Sequence, residues 1–234
     1  MKNFIFKTVC LVGLCAVILV GGAYADTLRM AYSAAPKTVD PYKSSASPTA
    51  SLNEHIYEAL VSRTNQKLLA TSYHWEDDTT LVVNLRTGVK FHNGADFTAQ
   101  DVIYSSCRMM FRVNDKKNML TSAMSPVVDV VALDNHTVAF KTVGLYPILI
   151  QKLKSLAILS AGDADLGPEL KFDNTGDCGI TRYPTRAQFE SGEYANGTGQ
   201  YKLVSFANTG DADLVRNDQS VSYTHLTLPT KRIV

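Results

Sequence analysis

Few residues in this 234-residue chain stand at spacings that could support chemistry. Ser72 and His74 share one extended segment and are too close along it to cooperate as nucleophile and base. Neither a Gly-x-Ser-x-Gly elbow nor a His-Glu-x-x-His helix occurs. His92 has Asn93 beside it but no second histidine or carboxylate at ligand spacing on its own element, and His55, His74 and His136 are equally isolated. Asp173-Asn174-Thr175-Gly176-Asp177 has the look of a calcium loop, yet its glycine and the distal glutamate are misplaced for one. Asn135-His136-Thr137 and Asn196-Gly197-Thr198 match glycosylation acceptors and read as turns. No metal and no cofactor is expected. Cys107 and Cys178 are open to several readings: bridged to each other, buried and free, or paired with a cysteine beyond this sequence.

The two ends are set apart from the rest. Lys2 and Lys7 flank a basic start, Thr8 to Val20 form an apolar run of 13 residues, and Ala23-Tyr24-Ala25 supplies a small-x-small cleavage pattern. Residues 1–25 therefore read as a secretory signal peptide, since about 20 apolar residues are needed to cross a bilayer. Cys10 and Cys15 leave with it. Val221 to Thr230 resemble the translated mosaic end and adapter of transposase-based DNA library preparation, so 220–234 are read as a sequencing scar and the natural frame is expected to continue past Gln219. Removing Lys2, Lys7, Lys231 and Arg232 leaves 19 basic residues against 22 acidic, a formal charge of −3. No basic patch remains to suggest nucleic acid or an anionic membrane surface.

Elements that would position any site follow from periodicity. Thr27 to Tyr32 alternates as a strand, Ser33 to Pro48 is a Ser, Ala and Pro rich loop, and Ser51 to Leu60 carries Leu52, Ile56, Ala59 and Leu60 at helical spacing. Thr80 to Leu85 and Val89 to Phe91 read as strands, the second closed by Asn93-Gly94. Thr98 caps a helix with Val102, Ile103, Cys107 and Met110 on one face. Val127 to Leu133 and Thr137 to Val143 form a hairpin around Asp134-Asn135, and Tyr146 to Leu159 is helix-prone. From Ser160 to Gly199 the texture is that of surface loops, with Arg186 to Ser191 a short helix. Tyr201 to Phe206 and Asp213 to Arg216 close the chain as a hairpin.

Val39-Asp40-Pro41, Tyr57-Glu58-Ala59-Leu60, Leu69-Ala70-Thr71-Ser72, LRTGVKFHNG from Leu85 to Gly94, FTAQDV from Phe97 to Val102 and GTGQY from Gly197 to Tyr201 occur in that order. Together they resemble the family 5 extracellular solute-binding proteins of ABC importers, the dipeptide, oligopeptide and nickel-binding group. Departures are Gln200, where the family usually has proline, and a shortened link over Asn65 to Leu68. The family's tyrosine-tryptophan pair is also absent after Arg216-Asn217.

The resemblance implies an α/β fold: a periplasmic binding protein-like (class II) lobe with an inserted α+β domain, truncated before the second lobe. Residues 26–65 would be the first part of the primary lobe, 66–195 the inserted domain and loops, and 196–219 the return to the primary lobe. The function implied is capture of a peptide or similar small solute in the periplasm for an ABC permease, by a protein that is monomeric when intact and has no membrane span after signal cleavage; the fragment is not expected to be competent alone. The motif residues themselves read as turns, core and caps. Ligands of open α/β domains bind beyond the carboxyl ends of strands, so Ser33, Ala34, Ala35, Pro36, Thr38 and Asp40 are the expected contacts. The competing readings are a secreted hydrolase and a one-lobed exported protein with another task.

Overall fold

Ser47–Ile56 forms α1 in a computed structural model that describes residues 30–111, 119–166 and 169–221. Pro48 sits in the first turn, where its missing N–H costs nothing, so the helix begins ahead of the expected Ser51. It also stops early, at Ile56, and the Tyr57-Glu58-Ala59-Leu60 segment expected to be helical is extended. There the Glu58 carbonyl accepts from Ile158 N at 2.8 Å, Ala59 bridges Ala157, and the Leu60 carbonyl accepts from Leu68 N and Ala70 N at 3.1 and 3.0 Å. The signal peptide, Thr27 to Arg29 of the expected first strand, and 222–234 of the tail lie outside the described residues. Met30 to Tyr32 belong to a first unit ending at Tyr32 and carry no regular structure. The second unit starts at Ser33 and contains the described helices and strands.

Four strands, β1 (Ala70–Trp75), β2 (Thr80–Leu85), β3 (Val127–Asp134) and β4 (Thr137–Thr142), form an antiparallel sheet in the order β1-β2-β4-β3. The central β2 buries Leu81, Val82, Val83 and Leu85, with Val83 paired to Tyr73 on one side and Val138 on the other. At the β3–β4 turn the Asp134 carboxylate accepts the His136 N–H at 2.7 Å, the local bond that makes Asp-Asn a good turn. Val89 to Phe91, expected as a strand, makes only the isolated bridge of Lys90 with Asp96. The Asn93-Gly94 turn folds it straight back, with Phe91 N donating to the Ala95 carbonyl at 2.9 Å.

Against this sheet lies α2 (Ala99–Met110), and every residue of it except Gln100 is buried. One apolar face was expected; the helix is enclosed all round, so each buried polar group on it needs a partner. Asp101 Oδ2 accepts the Thr98 N–H at 2.7 Å, and its Oδ1 accepts Ala161 N at 2.7 Å. Ser105 Oγ donates to the Asp101 carbonyl at 2.6 Å and accepts from Leu159 N at 2.8 Å. Neighbours of α2 are β3, β4, α3 (Met119–Met124) and the turn at Ala161–Asp163. The long helix expected over Tyr146 to Leu159 is only α4 (Leu149–Lys152) with a 3-10 turn to Ser155. Beyond it Ala157 and Ile158 are extended because they bond the 58–59 backbone, a tertiary demand that overrides helix propensity.

The Ser160 to Gly199 stretch holds short elements: β5 (Asp165–Leu166) paired with β6 (Ile180–Arg182), and α5 (Arg186–Glu190), capped by Thr185 with Gln188. Cys107 of α2 and Cys178 are joined by a disulfide, with Cα atoms 6.1 Å apart. β7 (Tyr201–Phe206) and β8 (Ala212–Arg216) form a separate two-stranded sheet. α1 packs on β7, with His55 edge-on to Tyr201 at 5.8 Å.

Candidate functional site

Three of the motif segments meet at one place. Gly197 and Gly199 pass against the backbone at the end of α1, where a Cβ on either would collide with the Ile56 carbonyl; Gly199 N donates to that carbonyl at 3.0 Å. Only glycine allows so close an approach. Between them Thr198 Oγ donates to Glu58 Oε2 at 2.8 Å, tying GTGQY to YEAL. From LRTGVKFHNG, His92 N donates to the Gly197 carbonyl at 2.8 Å, and the ring lies with Nδ1 3.4 Å from Gly197 N and Nε2 3.1 Å from the Gly199 carbonyl. Those bonds select the tautomer with hydrogen on Nε2. Burial holds the His92 pKa below the usual imidazole range and Lys202 adds to this, while the Gly199 and Ala195 carbonyls oppose it. Asn217 Nδ2 completes the knot on the Gly199 carbonyl at 2.9 Å.

The expected contact loop divides in two. Ser33, Ala34 and Ala35 are exposed, whereas Pro36, Thr38 and Asp40 are buried. Thr38 Oγ accepts from Asp40 N at 3.1 Å. Both Asp40 oxygens are engaged inside the protein, Oδ1 by Tyr42 N at 3.1 Å and Oδ2 by Arg108 Nη2 at 2.6 Å. Pro36 and Ala35 abut Gly210 in the β7–β8 turn. Arg108, which no local pattern in the sequence singles out, lies within an aromatic cage: its guanidinium carbon is 5.4 Å from the Tyr183 ring centre, 5.8 Å from Phe189 and 5.9 Å from Phe111.

No catalytic constellation assembles among the described residues. Ser72 Oγ accepts from Asn84 Nδ2 at 2.8 Å across β1 and β2, and no group of three or more metal-ligating side chains converges there. Asp163 accepts from Asn196 Nδ2 at 2.8 Å, which in turn accepts from Asn93 N at 3.1 Å. Burial raises the Asp163 pKa to about 6, opposed by the Asn196 bond and aided by nearby Asp101.

One open cavity of about 590 Å³ lies beside the Val61 to Leu69 turn. Its floor includes Ala59, Val61 and Leu69, and its walls carry Glu54, Glu58, Arg63, Lys67, Arg86 and Lys154 together with Gln200. These residues come from segments far apart in the chain, so local sequence does not reveal the cavity. No described helix is long and apolar enough to cross a membrane.

The sequence profile of the bacterial extracellular solute-binding proteins, family 5, matches residues 65–229 and so runs into the segment read as adapter. The nickel-binding protein NikA of Staphylococcus aureus is 29% identical over 117 residues, covering 50% of this chain and 23% of that protein. Among solved structures, Haemophilus influenzae OppA, in complex with RPPGFSPFR, aligns with a TM-score of 0.65 and 20% identity over 82% of this chain and 38% of that one. Helicobacter pylori DppA, in complex with peptide STSA, aligns with a TM-score of 0.61 and 22% identity over 80% of this chain and 38% of that one. At such identities the likeness is one of fold, and this chain spans well under half the length of these proteins.

Proposed function

This chain belongs to the family 5 bacterial extracellular solute-binding proteins, and on that premise we propose that it forms the first part of the solute-capturing component of an ABC importer. The solute is a peptide or a similar small molecule, delivered to a permease at the inner membrane. The observation that carries this reading is the fold shared with two solved chains that hold peptides. In it, 26–65 and 196–219 contribute to the primary lobe and 66–195 to the inserted domain. A second lobe in a longer protein closes over the solute by a hinge. The protein is exported to the periplasm, loses its signal peptide and works as a monomer.

Within the first loop, solute contact falls to Ser33, Ala34 and Ala35, the exposed part, while Thr38 and Asp40 hold the loop in place. In the full-length protein Ser33→Ala is expected to weaken solute affinity with little change in stability, and Thr38→Ala to do the reverse. Equal affinity for all three proteins would remove the loop from the site.

The decisive experiment begins with a read of the native locus from unfragmented genomic DNA, followed by its disruption and an uptake assay with labelled dipeptides, oligopeptides and nickel. Loss of peptide uptake, restored by the uninterrupted frame, is the expected result. Unchanged uptake of every solute would overturn the reading, and loss of nickel uptake alone would replace the peptide by the metal.

A further inference from the structure

The cavity beside the Val61 to Leu69 turn carries positive charge that the fold leaves unused. Its two carboxylates are both engaged: Glu54 pairs with Arg63, and Glu58 accepts the Thr198 hydroxyl at 2.8 Å. Its other cations are hardly engaged at all. Lys67 has no side-chain partner among the described residues, Arg86 uses only Nε, on the Leu68 carbonyl at 2.9 Å, and Lys154 makes one bond, to the Arg63 carbonyl at 3.2 Å. An ammonium offers three donors and a guanidinium five, so most of this cationic hydrogen-bonding capacity is unmet. Gln200, where the resembled family pattern has proline, brings a side-chain amide to the same wall. Half-buried Ala59 and Leu68 supply the cavity's apolar surface. A volume of about 590 Å³ lies in the range of small-ligand pockets.

We propose that this cavity takes a carboxylate-bearing solute, with the carboxylate against Lys67, Arg86 and Lys154 and a short apolar portion over Ala59 and Leu68. The assignment rests on the solute-binding reading above and adds to it a point of contact separate from the Ser33 to Ala35 loop, which does not line the cavity: an anionic end, such as the C-terminus of a short peptide, is favoured over a cationic metal complex. Carboxylate recognition by a guanidinium is directional and, with two flanking ammonium groups, electrostatically favourable. Because the site is open, its affinity falls as salt screens the charges.

Because Val221 of the segment read as adapter also lines the cavity, the test is a calorimetric titration of the full-length protein from the uninterrupted frame with trialanine, trialanine amide and acetate at low and physiological ionic strength. Trialanine is expected to bind with a dissociation constant at or below about 1 mM. Removing the charge on the ligand, or replacing two cations in Lys67→Met/Lys154→Met, should weaken it about 10-fold or more, as for a lost charged hydrogen bond. Both lysine side chains lie outside the core, so the variant's thermal midpoint should stay within about 2 °C of the parent, and it serves as a folded control. Equal affinity for the acid and the amide, no binding of trialanine at millimolar concentration, or an unaffected double variant would each overturn the assignment. Acetate binding as tightly as trialanine would overturn the apolar part of it. None of these results bears on the uptake assay, which decides the solute-binding reading by itself.

Discussion

Arg108 Nη2 lies 2.6 Å from Asp40 Oδ2, and the two side chains are 3% and 0% exposed. The pair joins the N-terminal loop to the last turn of α2 across 68 positions of sequence. Removing one member of such a pair strands the other charge in the interior, which costs about 3–5 kcal/mol. Asp40→Ala and Arg108→Met are therefore each expected to lower unfolding free energy by that amount in urea titrations. The double variant should fall well short of the sum, because the stranded charge is then gone. Additive losses would mean that the two residues are not coupled.

The knot at Gly197 and Gly199 makes a second prediction. A methyl group at either position meets the carbonyls ending α1, and neither partner is a flexible side chain that could move away. Gly197→Ala and Gly199→Ala should each cost about 1–3 kcal/mol, the range for forced overpacking. Gly144→Ala, where nothing lies within 4 Å of the added Cβ, is the control and should be nearly neutral. A thermal midpoint unchanged in the first two variants would show that the backbone contact is not needed.

What the sequence disclosed divides along the same lines. Local signals were legible: Thr98 with Asp101 at the start of α2, Asp134 at the β3–β4 turn, and the β-branched run of β2 all formed as expected. Segments whose backbone is claimed by distant partners were not. Ala59 and Leu60 follow Ile56 at helical spacing, yet they bond Leu68, Leu69 and Ala70 as extended chain, and Ala157 and Ile158 leave a helix-prone run for the same reason. Asp40 is expected among the contacts from its place in the loop alone, and that place does not disclose that both its oxygens are engaged inside the protein. Its partner Arg108 stands on a helix whose apolar pattern gave no hint that its polar side was enclosed too.

The Cys107–Cys178 bridge closes a segment of 71 residues over α2 and anchors the chain that brings Tyr183 to Arg108. Both cysteines are buried, so reductant should act slowly on the folded protein. A Cys107→Ser/Cys178→Ser variant should lose about 2–4 kcal/mol, chiefly because its unfolded chain regains freedom. It should be insensitive to reductant, while the parent refolded under reducing conditions matches the variant. If the parent has the same midpoint with and without reductant after refolding, the bridge contributes nothing.

Asp163 sets a pH dependence whose sign follows from its burial. Its pKa is raised to about 6 in the folded protein, so between the ordinary carboxylate value of 3.8 and about 6 the folded state binds more protons than the unfolded one. Stability from this group is therefore fully present below that window and declines as pH rises through it. Because the side chain is partly open to solvent, the loss is screened and amounts to about 1 kcal/mol. His92 works in the other direction: its lowered pKa means that stability is lost as pH falls below about 6.5. Asp163→Asn keeps an acceptor for Asn196 and removes the charge, so it should raise the thermal midpoint at pH 7 by a few degrees and leave it unchanged at pH 4. Thermal melts across pH 4 to 7 check this, and an equal shift at both ends would assign the effect to packing and not to the carboxylate charge.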